Sequence, residues 1–159
     1  MSYGKLYGVG VGPGNPKLMT LLAVETISNC PVIAVPASGR DSAVSYRIAA
    51  GAVEGIDEKP CIDIETPMTK DRDVLERSYW EAADKIIAKL KAGLDVAYLT
   101  LGDPTIYATY IYIHRLVKER GMRRRSSAES LHSALRRQSW ATAFVTDRNS
   151  FTSYLQATT

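Results

Sequence analysis

Residues 99–107 read Leu99-Thr-Leu-Gly-Asp-Pro-Thr-Ile-Tyr107, and they close an apolar run, Asp95 to Leu101, with the break Gly102-Asp103-Pro104 before a helix-like stretch. An α/β protein places its ligand at such a junction. A buried parallel strand ends there, glycine admits backbone conformations closed to other residues, and the next helix opens with unpaired N–H groups. A second glycine-rich junction, Gly8-Val-Gly-Val-Gly-Pro-Gly-Asn-Pro16, follows the strand-like run Lys5 to Gly10. Two such turns point to one crevice.

Each junction also has a plainer reading. Asp103 before Pro104 and Asn15 before Pro16 are both N-cap residues followed by proline at the first helical position. The glycine loop is not the dinucleotide fingerprint. Starting G-x-G-x-x-G at Gly8, Gly10 or Gly12 puts Pro13, Asn15 or Lys17 where the last glycine belongs. NAD is therefore disfavoured.

Working outward, strand-like and helix-like segments alternate. The strands are Lys5 to Gly10, Pro31 to Val35, Cys61 to Ile64 and Asp95 to Leu101; the helices are Pro16 to Asn29, Ser42 to Val53, Asp71 to Ala92 and Ile106 to Arg120. Strict alternation without hairpin turns predicts an α/β fold with a mostly parallel sheet flanked by helices. The third helix is the clearest. Leu75, Tyr79, Ala82, Ala83, Ile86, Ile87 and Leu90 recur at helical spacing among charged residues, and Gly93 ends it. Ile106, Tyr110, Ile113 and Val117 form a similar stripe, with His114 beside it as a polar edge residue rather than a catalyst.

The 159 residues suffice for a single core, and 45% apolar with 23% charged residues is ordinary for a soluble domain. No stretch reaches membrane-span length and no signal-peptide pattern opens the chain, so the cytoplasm is expected. The net charge of +3 belongs to the tail. Residues 123–159 hold six Arg and two acids, leaving fourteen bases against fifteen acids before them, so no nucleic-acid partner is implied. Cys30 and Cys61 lack partners at metal-ligand spacing and read as buried small side chains, with no metal site.

The two junctions together resemble the signature segments of the tetrapyrrole (corrin/porphyrin) methylases, which use S-adenosyl-L-methionine. They are Gly-Val-Gly-Pro-Gly-Asn-Pro-Lys-Leu-Met-Thr-Leu (residues 10–21) and Gly-Asp-Pro-Thr-Ile-Tyr (residues 102–107). Val35-Pro36, the Ser42 to Tyr46 segment, Pro67-Met68-Thr69, Trp80 and the Thr100 to Tyr110 run place the chain nearest the branch that C-methylates precorrin-2, or its cobalt form cobalt-factor II, at C(20). Resemblance extends from about Tyr3 to Gly121. Where members acting on uroporphyrinogen usually carry an aspartate after the second strand, this chain has Pro36, which makes that branch less fitting.

The resemblance implies the N-terminal half of a two-domain fold, with S-adenosylmethionine in the cleft between domains and a homodimer for the intact enzyme. Position by position, it assigns cofactor contacts to Pro13, Leu101, Gly102, Asp103 and Ile106. Asp103 is suited to a cationic or hydrogen-bonding part of the methionine moiety. No general base stands out, and Tyr107 beside the turn is the candidate. Two other classes remain open: a nucleotide-binding α/β domain using the same junctions, and an inactive remnant or association module.

After Gly121 the rhythm stops. Residues 122–159 are Ser- and Arg-rich with little strand character. Read one frame over with synonymous codon choices, they can encode a strand, a Pro/Gly turn, an alanine-rich helix and another strand. The expected organisation is a methylase domain over 1–121 and an out-of-frame, poorly ordered tail over 122–159. Such a chain is expected to bind the cofactor weakly or not at all and to lack useful turnover.

Overall fold

The computed structural model describes residues 3–36, 39–104 and 109–120. Readings that fall on Ile106, Tyr107 and residues 122–159 lie outside them. Four strands, β1 (Leu6–Gly10), β2 (Val32–Val35), β3 (Cys61–Asp63) and β4 (Val96–Thr100), form one sheet in the order β1-β4-β2-β3. Every pairing is parallel, with Val9 opposite Leu99, Ile33 opposite Ala97 and Ala34 opposite Ile62. All four strands therefore finish at one end of the sheet, the end where open α/β sheets bind ligands.

The apolar strand runs follow from burial on both faces, because successive side chains point to opposite sides. Ile33, Val35, Ala97 and Leu99 face one core with Ala23 and Ile27 of α1 (Leu21–Asn29) and Ile48 and Ala49 of α2 (Val44–Ala50). Val32, Ala34, Val96 and Tyr98 face a second core against α3 (Arg72–Lys91) and α4 (Thr109–Glu119). Burying a large apolar side chain contributes roughly 1.5–3 kcal/mol, so Leu99 in the first core and Ile86 in the second are each major contributors.

Helix ends carry their signals. The Asp71 carboxylate accepts from the amides of Asp73 (3.0 Å) and Val74 (3.4 Å) at the start of α3. At its end the Gly93 amide bonds the Leu90 carbonyl and the Leu94 amide the Lys89 carbonyl, the paired pattern of a glycine C-terminal cap. The Lys59 ammonium caps the end of α1, donating to the carbonyls of Ser28 (2.8 Å) and Cys30 (2.7 Å).

Two helices depart from the sequence reading. The Pro16 to Asn29 helix is two pieces: a 3-10 turn, Pro16–Leu18, capped by the Asn15 side chain on the Lys17 amide, then α1, whose cap is Thr20 bonded to the Ala23 amide at 3.2 Å. Thr20 needs an extended backbone to cap, and that breaks the run. Helix α2 also stops early, at Gly51, whose Cα lies so near Pro16 that a Cβ there would fall 2.6 Å from Pro16 Cγ.

Candidate functional site

The ends of β1 and β4 are adjacent because β1 and β4 pair along their whole length, and the pairing continues past both strands. The Val11 amide donates to the Thr100 carbonyl at 3.0 Å and the Gly102 amide to the Gly12 carbonyl at 3.1 Å. Gly12 and Gly102 thus form an isolated antiparallel bridge where the two glycine junctions cross. Both have left-handed backbones, φ +79° and +68°, which glycine adopts without the penalty that a Cβ brings.

Sequence reasoning expected Pro13, Leu101, Gly102 and Asp103 to share a site. The crossing brings the Pro13 loop onto the Leu101-Gly102-Asp103 turn. Pro13 is exposed, Leu101 is 52% exposed despite following a wholly buried strand, and Gly102 and Asp103 are half-buried. No atom comes within 4 Å of the position a Cβ would occupy at Gly14 or Gly102, so open space lies over both. Ile106 and Tyr107 lie outside the described residues. Asn15, the other candidate cap, does serve as one.

The structure adds apolar residues at this end that the sequence did not single out. Leu18 and Leu21, beyond the glycine loop, are 56% and 88% exposed, and Val44 at the start of α2 is also open. Leu18 and Leu21 belong to the segment that the sequence reads as one helix from Pro16 to Asn29. The split of that segment at Thr20 turns them outward.

A cleft of about 530 Å³ opens beyond the other half of the same sheet end. Its walls include Pro36 after β2, Glu65, Thr66 and Pro67 after β3, and Arg77 and Glu81 of α3. The Thr66 hydroxyl oxygen is buried without a hydrogen-bond partner among the described residues. Pro36 and Pro67 both stand at strand exits, and every strand exit of a parallel sheet is a candidate wall.

Other polar groups are structural. The Tyr110 hydroxyl and His114 Nδ1 are 2.9 Å apart, one helical turn along α4, and the Tyr110 ring leans on Tyr98. Burial raises the Tyr98 phenol well above its ordinary pKa. Burial likewise pushes the Cys30 thiol up to about 12 and the Cys61 thiol up to about 11, so neither is a thiolate at neutral pH. No group of three or more His, Cys, Asp or Glu side chains among the described residues is disposed to hold a metal ion. No described helix is long and apolar enough to cross a membrane.

The family model for tetrapyrrole (corrin/porphyrin) methylases matches residues 5–125. A probable cobalt-precorrin-2 C(20)-methyltransferase of Methanocaldococcus jannaschii is 42% identical over 120 residues, covering 74% of this chain and 49% of its own length. A precorrin-2 C(20)-methyltransferase of a Sinorhizobium species is 32% identical over 117 residues, covering 70% and 48%. The chain spans about half the length of these relatives. Among solved structures, the uroporphyrin-III C-methyltransferase of Thermus thermophilus, crystallised with S-adenosylhomocysteine, matches with a TM-score of 0.52 at 22% identity, over 74% of this chain and 44% of that one. That likeness bears on the fold alone.

Proposed function

The chain belongs to the tetrapyrrole (corrin/porphyrin) methylases, and on that premise we propose that it supplies one wall of an S-adenosylmethionine-dependent enzyme that methylates precorrin-2, or its cobalt form, at C(20) in cobalamin biosynthesis. The observation that carries this reading is the Gly12–Gly102 crossing, which joins both signature segments at one point. The names of the two relatives support the substrate.

The residues at the crossing fit the cofactor. Pro13, Leu18 and Leu101 offer apolar surface for an adenine or thioether, the open space over Gly14 and Gly102 admits a ligand against the backbone, and Asp103 offers a carboxylate for an ammonium group. Ile106, further along the chain, completes the proposed cofactor contacts, and Tyr107 is the candidate general base. Bound S-adenosylmethionine supplies a methyl group already activated by its sulfonium. The protein's part is then alignment: Asp103 fixes one end of the ligand, the glycine backbone sets its depth, and Leu101 excludes water from the reacting side. Residues 1–121 act as the methylase domain in this reading, and the intact enzyme pairs as a homodimer.

Thermal denaturation of the 159-residue chain with millimolar S-adenosylhomocysteine, ATP or NAD tests the assignment. Millimolar ligand reveals even the weak binding expected of one wall, so S-adenosylhomocysteine alone is expected to raise the midpoint, by roughly a degree. A response to ATP or NAD without one to S-adenosylhomocysteine would favour a nucleotide-binding domain instead.

A further inference from the structure

The cleft beyond β2 and β3 is separate from the glycine crossing yet shares its sheet end. Pro36 leaves β2, which pairs directly with β4, so the cleft begins about one strand spacing, ~5 Å, from the strand that delivers Leu101 and Gly102. Its lining is apolar at Pro36, Pro67 and Val74. Neither proline has an N–H to offer an anion. Arg77 is the only cation among the lining residues. Its Nε–H reaches the Asp73 carbonyl only at 3.4 Å, and no ion pair joins it to Glu65 or Glu81 among the described residues. Its guanidinium therefore retains donors in a shape that matches a carboxylate at two points.

We propose that this cleft seats a carboxylate-bearing edge of the tetrapyrrole, with Arg77 as the ion-pair partner that orients the ring toward the glycine crossing; the inference rests on the methylase reading for its substrate class. A tetrapyrrole of the precorrin type combines an apolar macrocycle with acetate and propionate side chains. The prolines suit the first and Arg77 the second. Glu65 and Glu81 restrict the anion to the place nearest Arg77, since a second carboxylate beside either meets a like charge. Arg77 is thus a specificity-determining residue, and the two glutamates set the register of the ring.

Fluorescence titration of the 159-residue chain with uroporphyrin I, a stable tetrapyrrole bearing eight carboxylates, tests this. Arg77→Gln is expected to weaken binding roughly ten-fold, as fits loss of a charge-assisted hydrogen bond, and Arg77→Lys to weaken it less. Glu81→Gln is expected to tighten it. Arg77 lies exposed on α3, so circular dichroism should show all three variants folded. Wild-type chain that fails to bind uroporphyrin I, or an Arg77→Gln variant that binds it as tightly as wild type, overturns the inference. The S-adenosylhomocysteine response of the wild-type chain is read separately. Its loss alongside intact Arg77 dependence would sink the methylase reading while leaving an anionic tetrapyrrole site.

Discussion

The Gly102 amide donates to the Gly12 carbonyl at 3.1 Å, and this one bond ties the loop after β1 to the loop after β4. Its geometry depends on a third residue. A Cβ on Gly10 would lie 2.3 Å from the Gly102 carbonyl oxygen and 3.2 Å from Pro104 Cδ, whereas a Cβ on Gly102 itself would meet nothing within 4 Å. Gly10→Ala is therefore expected to force the two loops apart and to destabilise by roughly 1–3 kcal/mol, with loss of ligand binding. Gly102→Ala should cost about 1–2 kcal/mol from its left-handed backbone alone. Urea denaturation combined with S-adenosylhomocysteine titration distinguishes them; equal, small effects at both positions would contradict the crossing.

Gly8 makes a second close approach. A Cβ there would fall 2.4 Å from two ring atoms of Tyr110, a side chain held by Tyr98 and His114. Gly8→Ala should displace that ring and destabilise by roughly 1–3 kcal/mol. Adding Tyr110→Ala should make the glycine change nearly neutral in the double variant. A double-mutant cycle with no coupling would show that the ring does not sit over Gly8.

Much of this was legible in the sequence for physical reasons. Parallel strands buried on both faces must be apolar throughout, so Val96 to Thr100 stood out, and a long helix with one buried face shows its period, as the stripe from Ala82 to Leu90 does. The meeting of Gly12 with Gly102 followed once both were placed at strand exits. The break at Thr20 was hidden because residues 17–29 contain neither glycine nor proline, so no breaker marks the point where the 3-10 turn ends and α1 begins. The cleft was less legible than the crossing. Glu65 to Glu81 run through one loop into α3, but Pro36 comes from a distant part of the chain, and only the pairing of β2 with β3 sets it beside Pro67 and Arg77.

Alkaline pH should loosen the fold in a definite window. Burial raises the thiols of Cys30 to about 12 and Cys61 to about 11, and the Tyr98 phenol also upward, so each group is held neutral in the native state. The unfolded chain releases these protons sooner, from about pH 8.5 for thiols and about pH 10 for tyrosine. The stabilising preference is thus complete below pH 8.5 and is lost as pH rises through the folded values. Urea midpoints should be flat near neutrality and fall above about pH 9. Cys30→Ala should reduce the slope between pH 9 and 11; an unchanged slope would place its cause elsewhere.

Asp103 has two readings, helix cap and cofactor ligand, and one substitution separates them. Asparagine caps a helix about as well as aspartate, whereas alanine forfeits about 1 kcal/mol of capping. If Asp103 only caps, Asp103→Asn should leave stability and ligand binding unchanged, and Asp103→Ala should lower both through the loss of stability. If its carboxylate meets the ammonium of the methionine moiety, Asp103→Asn should keep the wild-type urea midpoint and still weaken S-adenosylhomocysteine binding, since charge-assisted hydrogen bonds are about twice as strong as neutral ones. The second pattern is expected, because Asp103 is half-buried beside Leu101 and the open space over Gly102, where a ligand would take the place of water. Calorimetric titration of both variants, read against their denaturation midpoints, decides it. Unchanged affinity in Asp103→Asn would reduce this residue to a cap and leave the apolar surface of Pro13, Leu18 and Leu101 as the proposed contact at the crossing.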